Sequence, residues 1–256
     1  MHLSLTDNVA WAFGAALEAL LLLLALRRGL YRRFPVFTLY VALVVLSEPV
    51  LWFVYNKGQG HLRLIFVAYY LTQCILLLAR GGVVAEICRD LLSPYPGIWK
   101  VCRGCLLTIA VILLAFAAAA AYRTGASTAV ATGERGLELV IVGVLLFAVA
   151  FCRYYQIEPD QVTAFLALGL GLYSAIQVAN NTLIFEWVLP YVGWWQKVRQ
   201  LSYPVVVFIW LLALRNPLPE ARPAPALLDA GAYDEFVPQV NMRLRELNAR
   251  LQEILK

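Results

Sequence analysis

The chain has 256 residues, of which 62% are hydrophobic and only 14% charged, with a net charge of +5. A soluble domain runs near half apolar and a quarter charged, so this balance excludes a water-soluble globule, a disordered chain and a collagen-like one. What remains is an all-α polytopic membrane protein with a small polar appendage.

A bilayer-crossing helix needs roughly 20 mostly apolar residues. Seven runs qualify: 9–26, 36–55, 62–79, 101–122, 137–152, 162–185 and 192–214. They are long, rich in Ala and Leu, and lack the period-two alternation of a barrel strand. The opening MHLSLTDN has no basic stretch, and Arg27 and Arg28 follow the first run without a small-residue cleavage site. The first run therefore reads as a retained helix rather than a signal peptide.

Lys and Arg set the orientation. Arg27, Arg28, Arg32, Arg33, Arg80, Arg89, Lys100, Arg103, Arg153 and six tail residues lie on one side, 15 in all. Lys57, Arg63, Arg123, Arg135, Lys197 and Arg199 make six on the other. The basic side is expected to be cytoplasmic, with the N-terminus outside and the C-terminus inside. The Arg-, Ala- and Leu-rich composition points to a bacterial inner (plasma) membrane. Trp52, Tyr55, Trp187, Tyr191, Trp194 and Trp195 cluster toward the outer ends as an aromatic belt.

After the third run, 81–92 is expected to continue the helix beyond the membrane, and Ser93-Pro94-Tyr95-Pro96-Gly97 to stop it. Residues 1–215 then form the seven-helix transmembrane domain, 216–238 a Pro-rich linker, and 239–256 a short cytoplasmic amphipathic helix. Val240, Leu244, Leu247, Leu251 and Ile254 give that helix a narrow apolar stripe. It is expected to dock on a cytoplasmic partner, to self-associate, or to lie on the membrane surface.

Residue inventory excludes several seven-helix chemistries. A retinal protein needs an embedded lysine, and Lys57, Lys100, Lys197 and Lys256 all fall at or beyond helix ends. His2 and His61 are the two histidines, too few and too far outside for a zinc hydrolase, a bis-His haem or a Ser-His protease. The five aspartates also fall outside the runs, against an aspartyl intramembrane protease. No cofactor, metal or nucleic acid is expected. Cys102 and Cys105 form a C-x-x-C at the reducing end, read as structural thiols, with a redox or metal pair as the alternative. Asn180-Asn181-Thr182 matches a glycosylation pattern but lies within a span.

Embedded ionisable groups are costly and usually face the bundle interior. Glu18 sits mid-way along the first run and Glu48 in the outer half of the second. Helical spacing places Tyr40, Ser47, Glu48 and Trp52 on one face, Tyr69, Tyr70, Gln73 and Arg80 on another, and Gly169, Tyr173, Gln177, Asn180 and Asn181 on a third. These faces are expected to converge on Glu18 as an outward polar pocket, with Glu138, Ser202 and Tyr203 at its mouth and no embedded cation as partner. Its candidate ligand-binding residues are Glu18, Glu48, Trp52, Gln73, Tyr173, Gln177 and Asn180. The amides serve equally as helix glue.

The run of Glu18 with Arg27-Arg28-Gly29-Leu30-Tyr31-Arg32-Arg33-Phe34-Pro35-Val36-Phe37, the Ser93–Gly97 pentapeptide and the closing helix resemble a family of uncharacterised bacterial integral membrane proteins of acidobacterial type. The resemblance covers the whole layout and implies seven helices. It implies no activity and no functional residue. The function expected is a receptor-like or sensory protein with an outward pocket and a cytoplasmic docking helix. The alternatives are a small-molecule or proton-coupled transporter using Glu18 and Glu48, and an accessory subunit of a larger membrane complex. An enzyme is not expected.

Overall fold

The computed structural model describes residues 5–57, 62–124, 126–154, 157–183, 192–215 and 239–254, and all regular structure among them is helical. Helix α1 (Leu5–Arg27) ends at Gly29, whose φ of 71° is open to a residue without Cβ. That turn admits the single-turn α2 (Leu30–Arg33), which drives Leu30 and the following Phe34 into the core. Pro35 then opens α3 (Pro35–Lys57), a position where the missing amide hydrogen is no loss.

Helix α4 (Leu62–Leu92) has 31 residues, about 46 Å at 1.5 Å per residue, well beyond a hydrocarbon core of about 30 Å. Its overhang has a task. Glu86 accepts hydrogen bonds from the backbone amides of Val36 (2.9 Å) and Phe37 (2.8 Å), capping the first turn of α3. The helix stops where the prolines predict, and α5 (Pro96–Thr124) begins at Pro96. Helix α6 (Ala126–Tyr154) starts well before the 137–152 run that hydropathy marks. Helix α7 (Gln161–Leu183) is N-capped by Asp160, whose Oδ1 accepts from Val162 (2.7 Å) and Thr163 (3.1 Å). Helix α8 (Val192–Ala213) runs through Pro204, and α9 is Gln239–Ile254. The linker expected over 216–238 lies outside the described residues.

Helices α1, α3, α4, α7 and α8 pack in a ring, α6 backs onto α4 and α7, and α5 lies outermost against α4 and α6. Trp210 fills the centre. Its ring stands edge-on to Phe37 (5.0 Å) and Tyr40 (6.3 Å), and its Nε1–H donates to the Leu166 carbonyl at 3.3 Å. The outside is as apolar as the inside: Leu39, Leu46, Phe53, Leu78, Phe116 and Phe147 all point outward. Only a hydrocarbon surround makes such a surface stable. Among the described residues, five helices carry stretches long and apolar enough to cross a membrane: Pro35–Phe53, Ile65–Leu92, Pro96–Arg123, Thr132–Tyr154 and Gln161–Asn180. The chain is thus a multi-pass, all-α protein of the lipid bilayer, with α1 and α8 packed beside those five.

The tail helix sits in cis. Leu244 is fully buried against Leu92 and Ile98, and Asn248 accepts a hydrogen bond from the Gly97 amide at 2.8 Å. A Cβ on Gly97 would lie 2.6 Å from Asn248 Oδ1, so this glycine lets the two backbones meet. Leu251 joins this seat, whereas Leu247 stays open and Ile254 is 78% exposed.

Candidate functional site

The polar faces meet inside the bundle, but around a group that charge counting misplaces. Counting puts Arg80 among the cytoplasmic basic residues and leaves the spans without a cation. The structure instead buries Arg80 to 4% exposure and pairs it with Glu138 of α6, which is fully buried rather than at an outer mouth. The Arg80 guanidinium also lies 5.1 Å from the centre of the Tyr173 ring on α7. The reason for the misplacement is local. Arg80-Gly81-Gly82 resembles the end of a span, yet α4 continues and places Val83, Val84 and Ile87 in the core.

Tyr173 extends the cluster in two directions. Its hydroxyl accepts from Gln177 Nε2 at 2.7 Å, and its ring stands edge-on to Tyr203 of α8 at 5.5 Å. Tyr203 in turn hydrogen-bonds Tyr40 of α3 and lies within electrostatic reach of Glu18 on α1. Glu18 is 4% exposed. Glu48 is near enough to act on Glu18, and its own carboxylate accepts the Trp11 indole N–H, tying α3 to α1.

Of the residues expected at the site, Glu18, Glu48, Tyr173 and Gln177 fall on this connected path. Gln73 lies half-buried on α4, seven residues before Arg80, and Asn180 half-buried one turn after Gln177. Trp52 is 47% exposed on α3. Glu138 and Arg80 form the centre that sequence spacing alone does not mark, since 58 residues separate them.

Among the described residues, four buried side-chain atoms of this core have no hydrogen-bond partner: Glu18 Oε2, Arg80 Nε, Glu138 Oε2 and Ser174 Oγ. Sealed polar atoms without partners are rare and destabilising. Here they belong to α1, α4, α6 and α7, and all lie in the core of the bundle. A polar ligand, an ion or a proton relay would supply what they lack.

At the end of the bundle near α2, a second cluster is saturated. Arg33 grips Asp90 with two bonds, from Nε at 2.9 Å and Nη2 at 2.8 Å, and its Nη2 also reaches Asp160. Thr163 Oγ1 donates to Asp90 at 2.6 Å. This clamp ties α2, α4 and the cap of α7. Burial alone would raise the Asp160 carboxyl, but the Thr163 amide and the Arg33 charge outweigh it and hold Asp160 below its ordinary 3.8. A depressed folded pKa means that its stabilisation is whole above the unfolded value and is lost as pH falls through the folded one. Resistance to thermal unfolding in detergent is therefore expected to weaken as pH drops from neutrality to about 3. In Asp160→Asn that acid-dependent loss should shrink, from a lower starting stability; an unaltered pH slope would assign it to other carboxylates.

The two cysteines of the C-x-x-C sit in different surroundings. Cys105 faces outward, while Cys102 shares a hydrogen bond with Cys88 on α4. All five are free thiols. Among the described residues no three metal-binding side chains converge. No protein-family model, curated protein or solved structure matches the chain.

Proposed function

We propose that the chain is a receptor-like, seven-helix protein of the bacterial inner membrane, with its N-terminus outside and its C-terminus in the cytoplasm. In this reading α1 and α8 complete the seven spans. With Arg80 removed as an embedded residue, the basic asymmetry becomes 14 to six and keeps its sign. Residues 1–215 form the membrane unit, 216–238 the linker and 239–256 the cytoplasmic helix.

One observation carries the reading: the unsatisfied polar atoms of Glu18, Arg80, Glu138 and Ser174 in the bundle core. A ligand that satisfies them in one arrangement of the helices and not in another has the differential affinity a sensor needs. Arg80 is already neutralised by Glu138 and Tyr173 flanks it, so Glu18, with Glu48 close by, is free to meet a protonated amine or another small cation. The output runs along α4. Arg80 and the Leu92 seat of α9 are 12 residues apart on one helix, about 18 Å. Displacement of α4 would loosen α9 and free its stripe for a cytoplasmic partner.

A second reading rests on Glu18 itself. An embedded acid with an open oxygen also suits a proton-coupled carrier. Proteoliposomes with an internal pH-sensitive dye separate the two. The receptor reading expects no protein-dependent proton flux, and loss of cytoplasmic cross-links when 239–256 is deleted. Flux that Glu18→Gln or Glu48→Gln abolishes would establish the carrier instead. Unchanged cross-links in the deletion would sink the receptor, and a stoichiometric membrane partner retained by it would favour an accessory subunit.

A further inference from the structure

Away from the polar core, α4, α5 and α6 do not close on one another. They leave a cleft of about 600 Å³ whose walls are almost wholly apolar. Along α5 one face lines it at helical steps: Trp99, Arg103, Leu106, Ala110, Leu113 and Ala117. Gly81 and Ala85 of α4 and Gly133 of α6 form the opposite wall. These glycines do not serve close helix contact. A Cβ on Gly81 would find its nearest neighbour, Leu137, at an ordinary 3.7 Å, and one on Gly133 would find Ala117 at the same distance. The small residues make room.

We propose that this cleft binds one anionic phospholipid, an acyl chain along the α5 face and its phosphate on Arg103. From Trp99 to Ala117 the cleft runs 18 residues, about 27 Å, nearly the depth of a hydrocarbon core. Spread over that length, 600 Å³ makes a long, narrow slot of the shape an extended hydrocarbon chain fills. A helix with side chains is about 10–12 Å across, so the shape of the slot favours an acyl chain over a helix of a second copy. Lipid surrounds the bundle on all its apolar faces, and an empty apolar slot forfeits dispersion contacts that an acyl chain restores.

Charge selects the headgroup. Arg103 is the one cation in the lining, it is exposed, and it stands beside Trp99 at the end of the cleft nearest the α4–α5 turn. A long arginine side chain reaches from the hydrocarbon edge to phosphate level, and indole rings settle at that same level. Basic sites between helices at the membrane face are where anionic lipids are held.

The test uses the full chain in nanodiscs of equal phosphatidylglycerol and phosphatidylcholine, released into native mass spectrometry. One retained phosphatidylglycerol per protein is expected, favoured about fivefold over phosphatidylcholine, the effect of one cation at an anionic headgroup. Arg103→Gln should keep a bound lipid but level the preference. Ala110→Phe, which fills the slot, should lose the lipid, and Gly133→Leu repeats this test from the facing helix. Soluble glycerol phosphate should not raise the unfolding temperature. A wild-type protein that retains no lipid, a slot-filling variant that retains as much as wild type, a preference unmoved by Arg103→Gln, or glycerol phosphate matching the lipid would each overturn the proposal. So would a dimer that forms in wild type and is abolished by Ala110→Phe.

Discussion

Arg80→Met is expected to be among the most destabilising single substitutions in the protein, lowering unfolding stability in detergent by about 3–5 kcal/mol. The reason is the partner it strands. Glu138 is wholly buried on α6 and takes its charge compensation from Arg80. Removing one member of a buried pair leaves the other charge desolvated and unopposed. Glu138→Gln should destabilise in the same direction. The double variant Arg80→Met with Glu138→Leu should recover most of the loss, because two apolar side chains leave no stranded charge. If both single variants unfold like wild type, the pair carries no energy. If the double variant is stable but silent in the sensing or flux assays, the pair serves function rather than fold.

Trp210→Ala should come close behind, with a loss of about 3–5 kcal/mol for a large aromatic removed from a packed core. Trp210 joins α8 to two other helices, to α3 through Phe37 and Tyr40 and to α7 through the Leu166 carbonyl. Its seat depends on Gly169: a Cβ there would lie 2.4 Å from the indole Nε1 and 2.9 Å from Cδ1. The indole is held on its other faces and cannot retreat, so Gly169→Ala is expected to cost about 1–3 kcal/mol by overpacking. The two effects are coupled. In a Trp210→Ala background Gly169→Ala should be nearly silent, and the double-mutant cycle reads that directly from denaturation midpoints. Additive losses would mean that the close approach does not govern the packing.

Much of the layout was legible because each signal was local. Ser93–Gly97 holds two prolines and a glycine in five residues, and the break between α4 and α5 falls there. The apolar steps from Val240 to Ile254 match α9, although their use in cis against Leu92 and Ile98 depends on a surface 150 residues away. Glu18 stood out because its flanks are unbroken leucine and alanine, and it is indeed buried. What stayed hidden was pairwise. The Arg33–Asp90–Asp160 clamp spans 127 residues, and no periodicity links its members. Arg80 was visible on its stripe, but its depth depends on where the bilayer cuts a helix of 31 residues, and two glycines disguised that point. Trp52 shares a helical face with Glu48 by spacing, yet a four-residue step also rotates a side chain by some 40°. At the rim of the bundle Trp52 is left 47% exposed.

The Glu86 cap has a consequence for how the protein is made. The amides of Val36 and Phe37 wait for an acceptor that lies 50 and 49 residues downstream. At ribosomal speeds of about 5–20 residues per second, the first turn of α3 spends roughly 3–10 s without its cap. During that time α3 must keep its open end at the aqueous face, since those amides cannot enter lipid unpaired. Only when α4 has been synthesised almost to its end does Glu86 arrive and close the pair. The α3–α4 hairpin is thus the unit of biogenesis: ribosomes stalled before residue 86 should hold an α3 end still open to water, and those stalled well beyond it a sealed one.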